Sequence, residues 1–116
     1  LPAMAITTDT SVLTAVGNDL GFEQIFARQI EALANPGDIV WALSVSGSSP
    51  NVLAAMRAAE RCEATRFGFT SRRGGALREM CDHSLAVDHD DSDRVQEIHG
   101  LAYHLICDEI EKHFCT

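Results

Sequence analysis

The apolar positions of this chain change period several times, and each change marks an element. Ala3 to Thr7, AMAIT, is a short apolar run that reads as a buried strand. The next stretch, TTDTSVLTAVGNDLGFEQ, is rich in polar and turn-forming residues and predicts a loop with at most a short helical turn. From Gly21 onward, Phe22, Ile25, Phe26, Gln29, Ile30 and Leu33 recur three and four residues apart, the spacing of an amphipathic helix that Asn35-Pro36-Gly37 closes. Asp38 to Ser44, DIVWALS, is continuously apolar rather than alternating, as a parallel strand is when both its faces are covered. Pro50 suits the first turn of a helix, where its missing N–H is no loss, and Val52, Leu53, Met56 and Ala59 mark that helix's inner face.

Thr65 to Thr70, TRFGFT, predicts a further strand, SRRGG a turn, Ala76 to Met80 a short helix, and Ser84 to Val87, SLAV, a last strand. After the acidic loop DHDDSD, a helix runs from about Asp93 to His113 with Val95, Ile98, Ala102, Leu105, Ile106 and Ile110 along one side. Strand and helix alternate throughout, so the class is α/β with a parallel sheet, in one domain spanning residues 1–116.

Composition agrees with that picture: 116 residues, 46% apolar and 22% charged, describe a single globular core. No run of about 18 apolar residues is present, so no membrane span is expected. Seventeen acidic against nine basic residues, a net charge of -8, weigh against nucleic acid as a partner, and any anion bound here must be held by local geometry. Cys62, Cys81, Cys107 and Cys115 form no C-x-x-C pair, so they read as reduced thiols of a cytosolic protein, the first three as small core residues. The opening Leu1-Pro2-Ala3-Met4 carries neither an initiator methionine nor a signal-peptide pattern and reads as cut from a longer chain.

Three stretches carry candidate chemistry. In SVSGSSPN, four hydroxyls surround Gly47 where a strand hands over to a helix, so amides at a helix N-terminus and serine hydroxyls could hold a phosphate without lysine or arginine. A plain cap by Ser48 or Ser49 is the simpler reading, but four hydroxyls exceed what a cap needs. In GNDLG, Asn18 and Asp19 could bond sugar hydroxyls or merely form a turn. In DRVQEIHGLAYHL, Asp93 and Gln96 have the spacing of a capping box, while His99 and His104 bring the helix's first ring nitrogens. Gln96 and His104 are separated by about 12 Å of rise on an ideal helix, so sharing a ligand would need an irregular one. The acidic run Asp88 to Asp93 reads as a solvated loop before it reads as a metal site.

Together, VGND, S-x-SG-x-S and QEIH-x4-H make the chain resemble the SIS-domain phosphoheptose isomerases from end to end. The resemblance implies a three-layer αβα sandwich. It implies conversion of sedoheptulose 7-phosphate to D-glycero-D-manno-heptose 7-phosphate through an enediol, early in the synthesis of bacterial lipopolysaccharide heptose. By the same resemblance Asn18 and Asp19 contact substrate, Ser44, Val45, Ser46 and Ser49 form the phosphate loop, Gln96 contacts substrate and zinc, and His104 is catalytic and a zinc ligand. A cytoplasmic homotetramer with sites between subunits is implied as well. Val45 stands where the family usually has threonine. The family's N-terminal helix, first strand, GNGGS loop and following helix, with a histidine ligand and a glutamate base, have no counterpart here, and Glu23 and Glu97 do not align with that glutamate. The chain is therefore expected to be inactive alone. Two rival readings are a non-catalytic SIS protein that binds a replication initiator, whose relatives lack the histidine matching His104, and a sugar-phosphate sensor.

Overall fold

The structure is a computed structural model that describes residues 1–115. Strands β1 (Ile39–Leu43), β2 (Thr65–Ser71) and β3 (His83–Val87) pair in parallel in that order, with Ile39 opposite Thr65 and Phe67 opposite His83. Helices α1 (Thr10–Asp19) and α2 (Ala27–Leu33) precede β1, with a 3-10 turn at Phe22–Gln24 between them. Helix α3 (Pro50–Arg61) crosses from β1 to β2, α4 (Gly75–Met80) from β2 to β3, and α5 (Ser92–Phe114) follows β3. The α/β class and the parallel sheet expected from the alternation are what the chain forms.

One face of the sheet is closed by alanine. Ala54, Ala55, Ala58 and Ala59 are buried on α3, and with Ala27 and Ile30 of α2 they form one core cluster. Side chains this small let the helices approach closely, and alanine is also the strongest helix former. Met56 and Leu77, both fully buried, carry the core to Ala42 of β1 and join α4 to it. Gln29, in the apolar stripe of α2, is buried because its amide donates to the carbonyls of Ile6 (2.9 Å) and Ile25 (2.8 Å).

The other face is aromatic. Trp41, Phe67 and Phe69 pack with ring centroids 5.0–5.2 Å apart, two of the three pairs edge to face. Helix α5 covers this face at β2 and β3, burying Val95 and His99 and leaving β1 bare, so Ile39 and Leu43 are 67% and 50% exposed. The continuous apolar run of β1 therefore belongs to a sheet edge and is not buried on both faces. The C-terminal part of α5 projects its stripe into solvent, with Leu101 (59%), Leu105 (57%) and Phe114 exposed.

Four further sequence expectations change. Ala3 to Thr7 is not a strand: Ile6 packs on the alanine cluster and hands its carbonyl to Gln29, so this backbone is satisfied by a helix side chain and not by a ladder. The polar stretch before Gly21 is the helix α1, started by Asp9, whose carboxylate accepts from the Val12 amide at 3.1 Å. The stripe from Phe22 to Leu33 is interrupted after the 3-10 turn, and Phe22 faces solvent. Cys107 is exposed on the projecting part of α5, whereas Cys62 and Cys81 sit against the core.

Arg66 ties the start of β3 to β2. Its guanidinium bonds Asp82 (2.9 and 3.2 Å) and Glu60 (2.8 Å), and its amide donates to the Asp82 carboxylate at 2.8 Å. These bonds from Arg66 hold the Asp82 carboxyl at about 2, below its ordinary 3.8. Because the folded value is the lower one, the stabilisation is complete above about pH 4 and is lost as the pH falls toward the folded value. Thermal melts of the parent and Asp82→Asn should differ most above about pH 4 and converge near pH 2; a gap of the same size at pH 2 and pH 6 would rule this linkage out.

Candidate functional site

The serine loop begins where β1 runs out. Ser44 extends the ladder, its amide donating to the Phe69 carbonyl at 2.9 Å, and Gly47 turns the chain back, its amide bonding the Ser44 carbonyl at 3.1 Å. Ser49 occupies the N-cap position of α3 and its carbonyl accepts from Leu53 at 3.0 Å, but its hydroxyl makes no capping bond. That hydroxyl lies 3.5 Å from Ser44 Oγ, a loose contact by hydrogen-bond standards. Ser46 Oγ accepts from the Ser48 amide at 3.3 Å, and Ser48 is otherwise exposed. The hydroxyls of buried Ser44 and half-buried Ser49 thus meet beside the N-terminus of a 12-residue helix, where amide dipoles favour negative charge.

A second loop holds this one in shape. Gly47 has φ +61°, and a Cβ there would stand 1.9 Å from the Gly74 carbonyl oxygen. Gly75, at φ +54°, would place a Cβ 2.5 Å from the Gly47 oxygen and 2.7 Å from that of Ser46. The Leu77 amide donates to the Gly47 carbonyl at 2.9 Å, and the Val45 carbonyl accepts from the Ser71 amide and from Thr70 Oγ1, both at 3.2 Å. The loops after β1 and β2 are thus interlocked backbone to backbone.

A cavity of about 320 Å³ opens beside the serine loop, lined by Leu43, Ser44, Val45, Gln96, His99 and Tyr103. It brings together two of the stretches singled out in the sequence, the serine loop and the start of α5. Asn18, Asp19 and His104 do not line it. Asn18 and Asp19 end α1 and are no turn between glycines; both are exposed, with Asn18 Nδ2 donating to Asp19 Oδ1 at 2.7 Å. His104 is exposed, its ring 4.6 Å from that of Tyr103. The N-cap of α5 is Asp91, so Asp93 and Gln96 form no capping box. Glu23 and Glu97 are engaged with Arg57 (3.8 Å) and Arg94 (2.9 Å).

In the sequence His99 stood only as one of two helical histidines and Tyr103 was not singled out. Both follow Gln96 at three and seven residues, so helical spacing from Gln96 was the available signal. For zinc, the donor set does not fit within this chain. Gln96 and His104 lie on one uninterrupted helix, about 12 Å apart in rise, and among the described residues no three His, Cys, Asp or Glu side chains gather. The acidic residues Asp88 and Asp90 instead pair with Arg72 (2.7 Å) and Arg73 (3.2 Å).

Gly47→Ala forces either loop to move and should lower stability by about 2 kcal/mol or more. An unchanged urea midpoint in that variant would show that the loops are not locked by this contact.

The SIS domain family model matches residues 1–71. A phosphoheptose isomerase of Burkholderia pseudomallei is 50% identical over 111 residues, 96% of this chain and 56% of that protein. One from Geotalea uraniireducens is 54% identical over 112 residues, 97% of this chain and 59% of the relative. Among solved structures, a phosphoheptose isomerase from Francisella tularensis superposes with a TM-score of 0.94 at 43% identity, covering 97% of this chain and 62% of that one. One from Neisseria gonorrhoeae gives 0.93 at 43% identity, with 95% and 62% covered. The chain spans little more than half the length of the curated relatives it matches. An interlocked serine loop at the end of a parallel strand, a match to the family model over more than half the chain, and these superpositions lead to one conclusion: the chain belongs to the SIS-domain family.

Proposed function

We propose that this chain supplies the phosphosugar-binding part of a ketose–aldose isomerase that converts sedoheptulose 7-phosphate to D-glycero-D-manno-heptose 7-phosphate, for the heptose of bacterial lipopolysaccharide. The observation that carries the reading is the Ser44 hydroxyl, which meets that of Ser49 at the N-terminus of α3 while Ser44 lines a cavity together with Gln96. The relatives named phosphoheptose isomerase support it. In this reading Ser44, Ser46 and Ser49 donate to the phosphate oxygens, joined by backbone amides of the loop that includes Val45. Gln96 orients the sugar hydroxyls from the cavity wall, and Asn18 and Asp19, exposed at the end of α1 and outside that cavity, do so in the assembled site. A base removes the proton next to the carbonyl, an enediol forms, and an acid returns a proton at the neighbouring carbon; His104 is one of that pair.

His104 stands outside the cavity that Gln96 lines, so its proton transfer serves a site completed by another copy of the chain. A cytoplasmic homotetramer accommodates this, and the bare apolar stripe of α5 gives it a surface to form on. No carboxylate lines the cavity, and Glu23 and Glu97 sit in exposed ion pairs away from it, so the second acid–base partner is assigned outside this chain. No step is routed through zinc here, since within one copy Gln96 and His104 stand about 12 Å apart in rise on the same helix.

Titration calorimetry with sedoheptulose 7-phosphate should show binding by the parent chain. Ser44→Ala and Ser49→Ala should each weaken it about tenfold, the value of a hydrogen bond to a charged group. Unchanged affinity in both variants contradicts the phosphate assignment, and aldose formation by this chain alone contradicts the division of the acid–base pair. Light scattering should return a mass four times that of one chain; a monomer mass contradicts the shared site.

A further inference from the structure

His99 is a buried, chemically capable side chain for which the proposed chemistry has no use. It is 3% exposed, packs its ring 5.3 Å from that of Phe69, and places Nε2 3.0 Å from the Thr70 carbonyl oxygen. A carbonyl can only accept, so Nε2 carries the proton and donates. Thr70 is fully buried as well, and its hydroxyl donates to the Val45 carbonyl at 3.2 Å, with the Gly74 oxygen at 3.4 Å. A continuous polar chain thus runs from α5 through the end of β2 to the serine loop.

The effect on the loop follows from peptide geometry. The Val45 carbonyl and the Ser46 N–H belong to one planar trans peptide and point in opposite directions. Thr70 Oγ1 and the Ser71 amide both draw the carbonyl toward β2, which turns the Ser46 N–H away from β2. His99 fixes the Thr70 peptide from the far side. It also sits one turn after Gln96, so the bond that holds Thr70 sets how far Gln96 stands from the phosphate loop.

We infer that His99 is a positioning residue: through Thr70 it orients the Val45–Ser46 peptide for phosphate binding and holds α5 in register with the loop. This deepens the phosphosugar reading and rests on it. The Val45 departure noted in the sequence gains a rationale here, since what the loop needs at that position is a backbone carbonyl held by Thr70 and an amide beyond it, neither of which depends on the side chain.

The test compares His99→Leu with His99→Gln, whose amide nitrogen can still donate to the Thr70 carbonyl, and Thr70→Val with Thr70→Ser. Binding of sedoheptulose 7-phosphate is read by calorimetry and the Ser46 amide resonance by nitrogen-15 NMR, on chains whose circular dichroism matches the parent. Leu and Val should weaken binding about tenfold and shift the Ser46 resonance, and Gln and Ser should restore both. If His99→Leu does not fold, His99→Met carries the comparison with His99→Gln, while the Thr70 pair tests the separate bond from the Thr70 hydroxyl to the Val45 carbonyl. Equal affinity and an unmoved Ser46 resonance in Thr70→Val overturn the inference, as does a loss in His99→Leu that Gln fails to restore. Absence of binding by the parent overturns the phosphosugar reading itself, which separates the two failures.

Discussion

Everything distinctive about this molecule depends on two loops crossing without side chains between them. The Gly47 and Gly74–Gly75 backbones approach so closely that a Cβ at Gly47 would sit inside the Gly74 carbonyl. That contact lets the loop after β1 and the loop after β2 share hydrogen bonds, with Leu77 and Ser71 donating across and Thr70 filling the corner. The starts of α3 and α4 are thereby set by one another. A serine-rich loop in isolation would be mobile and would lose conformational entropy on closing around an anion; here much of that cost is met when the chain folds.

The two faces of the sheet divide the labour. The alanine face is packed tightly by α2, α3 and α4 and holds the loops' roots in place. The aromatic face is covered by the first turns of α5 only, through Val95 and His99. The cavity lies at the boundary between covered and bare sheet, where Leu43 and Tyr103 meet Ser44 and Gln96. An acidic chain with net charge -8 holds its candidate anion site with neutral donors, and its nearby arginines 72 and 73 are already paired with Asp88 and Asp90. Geometry and not net charge has to supply the attraction, which is why the loop lock matters.

What the sequence revealed and concealed follows from the range of the interactions. Pro50 after a serine cluster, and the Val52–Met56–Ala59 face behind it, are local signals, and they marked α3 and the serine loop correctly. Helix α1 was hidden because its threonines, serine and glycine are indifferent helix formers; the Asp9 cap and the contact with the following 3-10 turn decide it. The AMAIT run resembled a strand because apolar residues do not say whether they will meet a ladder or a helix. His99 looked like one more helical histidine since its partner, Thr70, is 29 residues away and offers only a backbone carbonyl. The bare edge of β1 and the bare stripe of α5 were invisible for a related reason: an apolar pattern records that a face is to be covered, not whether the same chain covers it.

In the proposed reading the anion of a phosphorylated sugar sits between Ser44 and Ser49 at the start of α3, with the sugar directed toward Gln96. A crystal structure of this chain with sedoheptulose 7-phosphate tests that most directly. Phosphate density is expected within hydrogen-bonding distance of both hydroxyls and of the loop amides, with Gly47 and Gly74 still in contact. Phosphate density on Arg72 and Arg73, with the serine loop empty, would contradict it.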